Sequence, residues 1–142
     1  MGKFAHFELK EFLESREAQN RGILNTPSFE VVENLAELCE KFLEPLREAW
    51  GKPIGVTSGF RCPRLNQVVG GVANSSHKIG AAADIQSGDP EKFFNFITGW
   101  VKSEGIMFDQ IFIESRKGVK WIHVSTRNES GTQRRMISRI SL

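Results

Sequence analysis

Apolar residues recur at helical spacing in the first third of the chain. Val31, Val32, Leu35, Leu38, Cys39, Phe42, Leu43 and Leu46 form one stripe, and Glu and Lys fill the opposite face. This predicts a helix from about Ser28 to Trp50, with Thr26 as cap, Pro27 in the first turn and Gly51 and Pro53 ending it. Cys39 lies on the stripe and is expected to be a buried structural thiol. Residues 7–16 mix apolar and charged positions in a way that suits a short helix. A second clear helix opens at Asp89-Pro90, buries Phe93, Phe94, Ile97, Trp100 and Val101, and stops at Gly105.

The rest of the pattern alternates. Ile54 to Arg61 and Ala81 to Gln86 read as strands, separated by a polar, glycine-bearing stretch from Cys62 to about Gly80. Phe108 to Glu114 and Lys120 to Thr126 read as a hairpin, and Met136 to Ser141 as a last strand. If Lys117-Gly118 are the turn residues, Arg116 pairs with Val119, Glu114 with Trp121 and Phe112 with His123. Ile111, Ile113, Ile122 and Val124 then all face the core, which a one-residue slip would undo. The order of elements predicts an α+β fold, a mainly antiparallel sheet with helices packed on one side. No repeat, linker or low-complexity segment divides the chain, so residues 1–142 are expected to be one domain.

Composition narrows the function classes. The 142 residues include 19 Lys+Arg and 17 Asp+Glu, a net charge of +2 that does not suggest a dedicated nucleic-acid binder. The cluster Arg134, Arg135 and Arg139 is expected to be a solvated face. No apolar run approaches the ~20 residues that a membrane-spanning helix needs. The N-terminus lacks the apolar core of a secretory signal. Two Cys, at 39 and 62, make neither a disulfide framework nor a thiolate metal site. Only three His occur, at 6, 77 and 123.

Two of those His carry the chemistry. His77 and Asp84 stand seven apart in Ser75-Ser76-His77-Lys78-Ile79-Gly80-Ala81-Ala82-Ala83-Asp84. That spacing fits a loop His followed by a strand Asp rather than two ligands on a helix. An imidazole nitrogen and a carboxylate oxygen both suit Zn²⁺. Alternation puts Ala82 and Asp84 on one face of the strand, with Ala83 and Ile85 on the core face. In Trp121-Ile122-His123-Val124-Ser125 the same logic turns His123 away from the core and makes it a third ligand. Two His, one Asp and a water make an open catalytic zinc site. His6 has no motif around it and is expected at the surface.

The pattern Ser75-x-His77-x-x-Gly80-x-Ala82-x-Asp84, followed by Trp121-x-His123, resembles the M15-type zinc D-Ala-D-Ala peptidases, which share a fold with the Hedgehog signalling domain. Thr57-Ser58-Gly59-Phe60-Arg61-Cys62-Pro63, Leu65-Asn66, Val69-Gly70-Gly71 and Phe108-Asp109-Gln110-Ile111 extend the resemblance from about Thr26 to Ser125. It implies one zinc ion held by His77, Asp84 and His123, and hydrolysis of peptide bonds in bacterial cell-wall stem peptides. It also implies that Arg61 holds a substrate carbonyl or carboxylate, for which a guanidinium has the charge and the fork geometry. Ser75 reads either as a hydrogen-bonding residue near metal or substrate or as a simple loop turn. Trp121 reads either as a wall of the substrate pocket or as an aromatic packed on the sheet.

The chain departs from the family at one position. Many relatives carry an acidic general base three residues before the last His ligand, where this chain has Lys120. The hairpin register puts Glu114 diagonal to His123 on the cleft side, which makes it the candidate base and acid, with Asp109 as fallback although its parity turns it away from the metal. The alternative is a zinc-bearing cell-wall binding module without catalysis. With no leader visible, action at the wall or periplasm would follow a phage-type release, as for an endolysin, and a monomer is expected.

Overall fold

Residues 4–142 are described by a computed structural model. Helices α1 (Leu9–Leu13) and α2 (Arg16–Asn20) open the chain. The helical reading of residues 7–16 therefore holds only in part: Ser15 interrupts it, because its extended backbone and its side chain cap the next helix at Ala18 N–H.

The long helix is continuous from Phe29 to Trp50 but not uniform. It runs as α3 (Phe29–Leu38), a π-helical turn (Cys39–Leu43) and α4 (Glu44–Trp50). The cause stands in the sequence at Pro45, which has no N–H to give to the carbonyl four residues back and whose ring crowds that carbonyl. One wider turn ahead of the proline relieves both problems, and Glu44 N–H bonds to Cys39 C=O instead. The cap is Ser28, whose hydroxyl accepts from Val31 N–H, and not Thr26 as the Thr-Pro pair suggested.

Strands β1 (Gly55–Ser58), β2 (Ala82–Gln86), β3 (Gln110–Arg116), β4 (Val119–Ser125) and β5 (Met136–Ser141) form one sheet in the order β1-β2-β4-β3-β5. Three of the four pairings are antiparallel. The β3–β4 register is the one that alternation predicts, with Arg116 opposite Val119, Glu114 opposite Trp121 and Phe112 opposite His123. Lys117 and Gly118 make the two-residue turn, both with positive φ, as a right-twisted hairpin requires. The β3–β5 pair is parallel.

Helix α6 (Pro90–Glu104), capped by Asp89 through two N–H groups, packs with α3 and α4 on one face of the sheet. Ala83, Ile85, Ile111, Ile113, Ile122 and Val124 supply the sheet side of that core. Phe42 and Trp100 meet edge to face across it, with ring centroids 5.4 Å apart. Trp50 is tied to the sheet end by its indole N–H on Ser87 Oγ at 2.8 Å. With one face sealed by apolar packing, the other face is left to polar residues.

The stretch 62–80 is more ordered than its composition suggests. It contains α5 (Pro63–Val68) and a 3₁₀ turn (Ser76–Ile79). Helix α5 is short and buries only Leu65 and Asn66, so no helical stripe announces it. Gly80 ends the 3₁₀ turn at φ +77°, and a Cβ there would stand 2.7 Å from Val31 O. Glycine is required for both reasons.

Candidate metal centre

The open face of the sheet is laid out in cross-strand rows. Ser58, Asp84, His123, Phe112 and Ser138 form one row across all five strands. Trp121, Glu114 and Ile140 form the next. Ala82, Ser125, Gln110 and Met136 form the row on the other side. A cleft of about 750 Å³ lies over them, reached by Arg61, Asp84, Glu114, Trp121 and His123 among others.

His77 reaches this face from the 3₁₀ turn. Its Nε2 stands 3.1 Å from Asp84 Oδ1 and 3.2 Å from His123 Nδ1, and His123 Nδ1 stands 3.2 Å from Asp84 Oδ1. The three donors make a nearly equilateral triangle, and all three residues are buried. Donors held ~2.0–2.1 Å from a tetrahedral zinc ion stand ~3.3 Å apart, so the triangle has the size of one tetrahedral face.

The far sides of both imidazoles explain which atoms point inward. His77 Nδ1 lies 2.7 Å from the carbonyl of Gly59. His123 Nε2 lies 3.0 Å from Gln110 Oε1. Each oxygen accepts a ring N–H, which leaves His77 Nε2 and His123 Nδ1 as lone pairs facing a carboxylate oxygen. Three acceptors converging at such distances call for a cation among them. The residues present fit one zinc ion, with a fourth position open toward the cleft.

Electrostatics agree. Burial pushes the pKa of His77 down, and the charge of Asp84 offsets only part of this. Burial works to raise Asp84, but the adjacent imidazoles of His77 and His123 hold its carboxyl well below the usual carboxylate range. The centre thus sets an ionised carboxylate beside two ring nitrogens, donors of the kind a metal takes.

Glu114 projects into the same cleft. It is half-buried, and its Oε1 accepts the indole N–H of Trp121 at 2.9 Å. Burial raises its pKa, and Asp84 adds to this, while His123, the Trp121 hydrogen bond and Arg61 act the other way. Lys120, three residues before His123, turns to the opposite face and pairs with Glu91 at 3.1 Å. Asp109 is fully buried with both oxygens on Arg134, so the fallback carboxylate is committed elsewhere.

Arg61 leaves β1 beside the 3₁₀ turn, with its backbone N–H on His77 C=O. Its Nη2 donates to Ser75 Oγ at 3.5 Å, and its Nε is buried without a partner among the described residues. Burial lowers its pKa, against the raising effect of Asp84 and Glu114. Ser75 caps the turn that carries His77, accepting His77 N–H at 3.2 Å. The turn reading of Ser75 is what the geometry shows, and the same hydroxyl also meets Arg61. Trp121 lines the cleft and holds Glu114. His6 lies outside the site, exposed and bonded to Glu44.

Gly59, Gln110 and Phe112 escaped the reading of the sequence as members of the site. Gln110 shares parity with Glu114 and with Phe112, which the hairpin register already set opposite His123, so alternation alone could have placed it beside His123 too. Gly59 carried no such signal, because its contribution is a backbone carbonyl.

Comparisons with known proteins agree with this geometry. A family model described as Peptidase M15 matches residues 5–125. A stretch of 47 residues is 49% identical to the zinc D-Ala-D-Ala carboxypeptidase of Streptomyces albus G, covering 32% of this chain and 18% of that protein's length.

Proposed function

Because the chain belongs to the peptidase M15 family, we propose that it is a zinc-dependent hydrolase of the peptide bonds in bacterial peptidoglycan stem peptides. The observation that carries this reading is the buried triangle of His77, Asp84 and His123 at 3.1–3.2 Å, opening on a cleft that also holds a carboxylate and an arginine. Bound there, zinc lowers the pKa of water toward ~7 and polarises a carbonyl.

The chain's own residues supply the rest. Glu114 takes the proton of the attacking water and returns it to the nitrogen of the departing amine. Its raised pKa suits that exchange, since a group ionised too firmly would not give the proton back. Trp121 fixes which carboxylate oxygen faces the substrate. Arg61 has a buried, unpartnered Nε and is the group that receives a substrate carbonyl or carboxylate. Ser75 keeps that guanidinium and His77 in one frame.

Lys120 favoured a binding module without catalysis. With Lys120 on Glu91 and Glu114 in the cleft, the hydrolase reading accounts for more of the site. The substrates are cell-wall peptides, either a C-terminal D-Ala-D-Ala bond or a cross-link between stems. The place of action is the wall, reached in a phage-type lysis system. Among the described residues no helix is long and apolar enough to cross a membrane.

The test is incubation of the zinc-loaded protein with purified muropeptides, read by mass spectrometry. Shortening of pentapeptides by one alanine identifies a carboxypeptidase, and conversion of dimers to monomers an endopeptidase. Intact muropeptides beside a stoichiometric zinc content would leave the binding module.

A further inference from the structure

Gln110 has no part in the proposed catalytic steps, yet it makes the side-chain hydrogen bond that decides how His123 presents itself. Its Oε1 is 3.0 Å from His123 Nε2, on the side of the ring opposite the donor triangle. A neutral imidazole has one proton for two nitrogens. A carbonyl oxygen at Nε2 draws that proton there and frees Nδ1, the atom that faces Asp84 and His77. Phe112 stacks on the same ring, with centroids 5.6 Å apart and planes 24° from parallel. The ring is therefore held on a face by Phe112 and in its plane by Gln110. The matching bond on His77 comes from the backbone of Gly59, which substitution of a side chain does not remove. Only the His123 half of the centre depends on a side-chain acceptor.

We infer that Gln110 is a positioning residue of the metal centre, fixing the tautomer and plane of His123 so that Nδ1 is presented to a zinc ion. The inference rests on the zinc reading of the site. Its place in the sheet supports it: Gln110 opens β3 opposite Ser125, diagonal to His123, so an amide of this length spans the gap and a shorter side chain does not.

The experiment compares wild type with Gln110→Met, which keeps the length and loses the acceptor, and Gln110→Glu, which keeps an acceptor. Zinc affinity is measured by competition with a chromogenic chelator, using Zn²⁺ alone. Expected is a 10–100-fold weaker affinity for Gln110→Met and recovery to near wild type for Gln110→Glu. The zinc-free proteins should melt together, which separates positioning from loss of fold. Nitrogen NMR of zinc-free wild type above pH 8 should find the His123 proton on Nε2. A Gln110→Met affinity within twofold of wild type, or a His123 proton on Nδ1, overturns the inference while the zinc reading stands. Wild type that binds no zinc overturns both.

Discussion

Glu114 and Trp121 face each other across the β3–β4 ladder, and the indole N–H of one is bonded to the carboxylate of the other at 2.9 Å. The pair joins the hairpin register to the proposed chemistry, because the same cross-strand step that sets the register sets the position of the proposed base. Replacing Glu114 by Gln keeps the size and the bond to Trp121 but removes the proton acceptor. Turnover of muropeptides should fall by about 10²–10⁴-fold with zinc content unchanged, measured by product mass and metal analysis.

The same pair predicts a pH effect with a definite sign. The proposed hydrolysis needs Glu114 ionised, and burial raises its pKa. The acid limb of kcat/KM should therefore lie above the range of an ordinary glutamate. The Trp121 bond favours the ionised form, so Trp121→Phe should move that limb to still higher pH. A limb that moves down in the variant would contradict this account.

Gly59 has no room for a side chain. A Cβ there would stand 2.5 Å from both Cα and O of Phe12, backbone atoms that cannot swing aside. Gly59→Ala should lower stability by about 1–3 kcal/mol in urea titration. It should also weaken zinc binding, because the shifted backbone carries the carbonyl that orients His77. Neighbouring Thr57→Ala, which loses only a 3.2 Å bond to Asp84 C=O, should leave zinc affinity near wild type.

Asp109 and Arg134 pair a buried carboxylate with an exposed guanidinium. Asp109 is fully buried, and although burial works to raise its pKa, the hydrogen bonds and charge of Arg134 bring it below the ordinary value. A depressed carboxyl contributes stability above the unfolded pKa of ~3.9 and loses it as pH falls through the folded value. Arg134→Ala should cost about 1–3 kcal/mol at pH 7, measured as a lower urea midpoint, since it leaves the buried carboxylate with only the backbone N–H of residue 134. The difference from wild type should shrink toward pH 3.

The two thiols should differ in reactivity. Burial pushes the Cys39 thiol up to about 12, and it is fully enclosed beside the π-helical turn. Cys62 is partly exposed. A thiol reagent should titrate one group in the native protein and two after denaturation.

The legible parts of the fold were those where side chains alternate. Ile111, Ile113, Ile122 and Val124 fixed the hairpin register, and that register placed Glu114 opposite Trp121. Asp89-Pro90 and Gly105 bounded α6 as capping chemistry requires. What stayed hidden depended on backbone. The π-helical turn follows from a proline inside a stripe that otherwise reads as regular helix. The parallel β3–β5 pair is a partnership between strands far apart in sequence, which periodicity within either strand does not encode. Helix α5 is too short for a period to show.

Asp84 and His123 are register partners on neighbouring strands, 39 residues apart in the chain. A metal ion bridging them fastens a long loop at its base, and with it every hydrogen bond of the β2–β4 ladder. His77 and Asp84 are near in sequence and could meet before the sheet exists, but His123 arrives only once β4 is correctly aligned. Full coordination by the proposed ligand set would therefore require the β2–β4 register to be in place. A chain with this strand shifted by one residue would offer Ile122 or Val124 to the metal and would be left with two ligands instead of three.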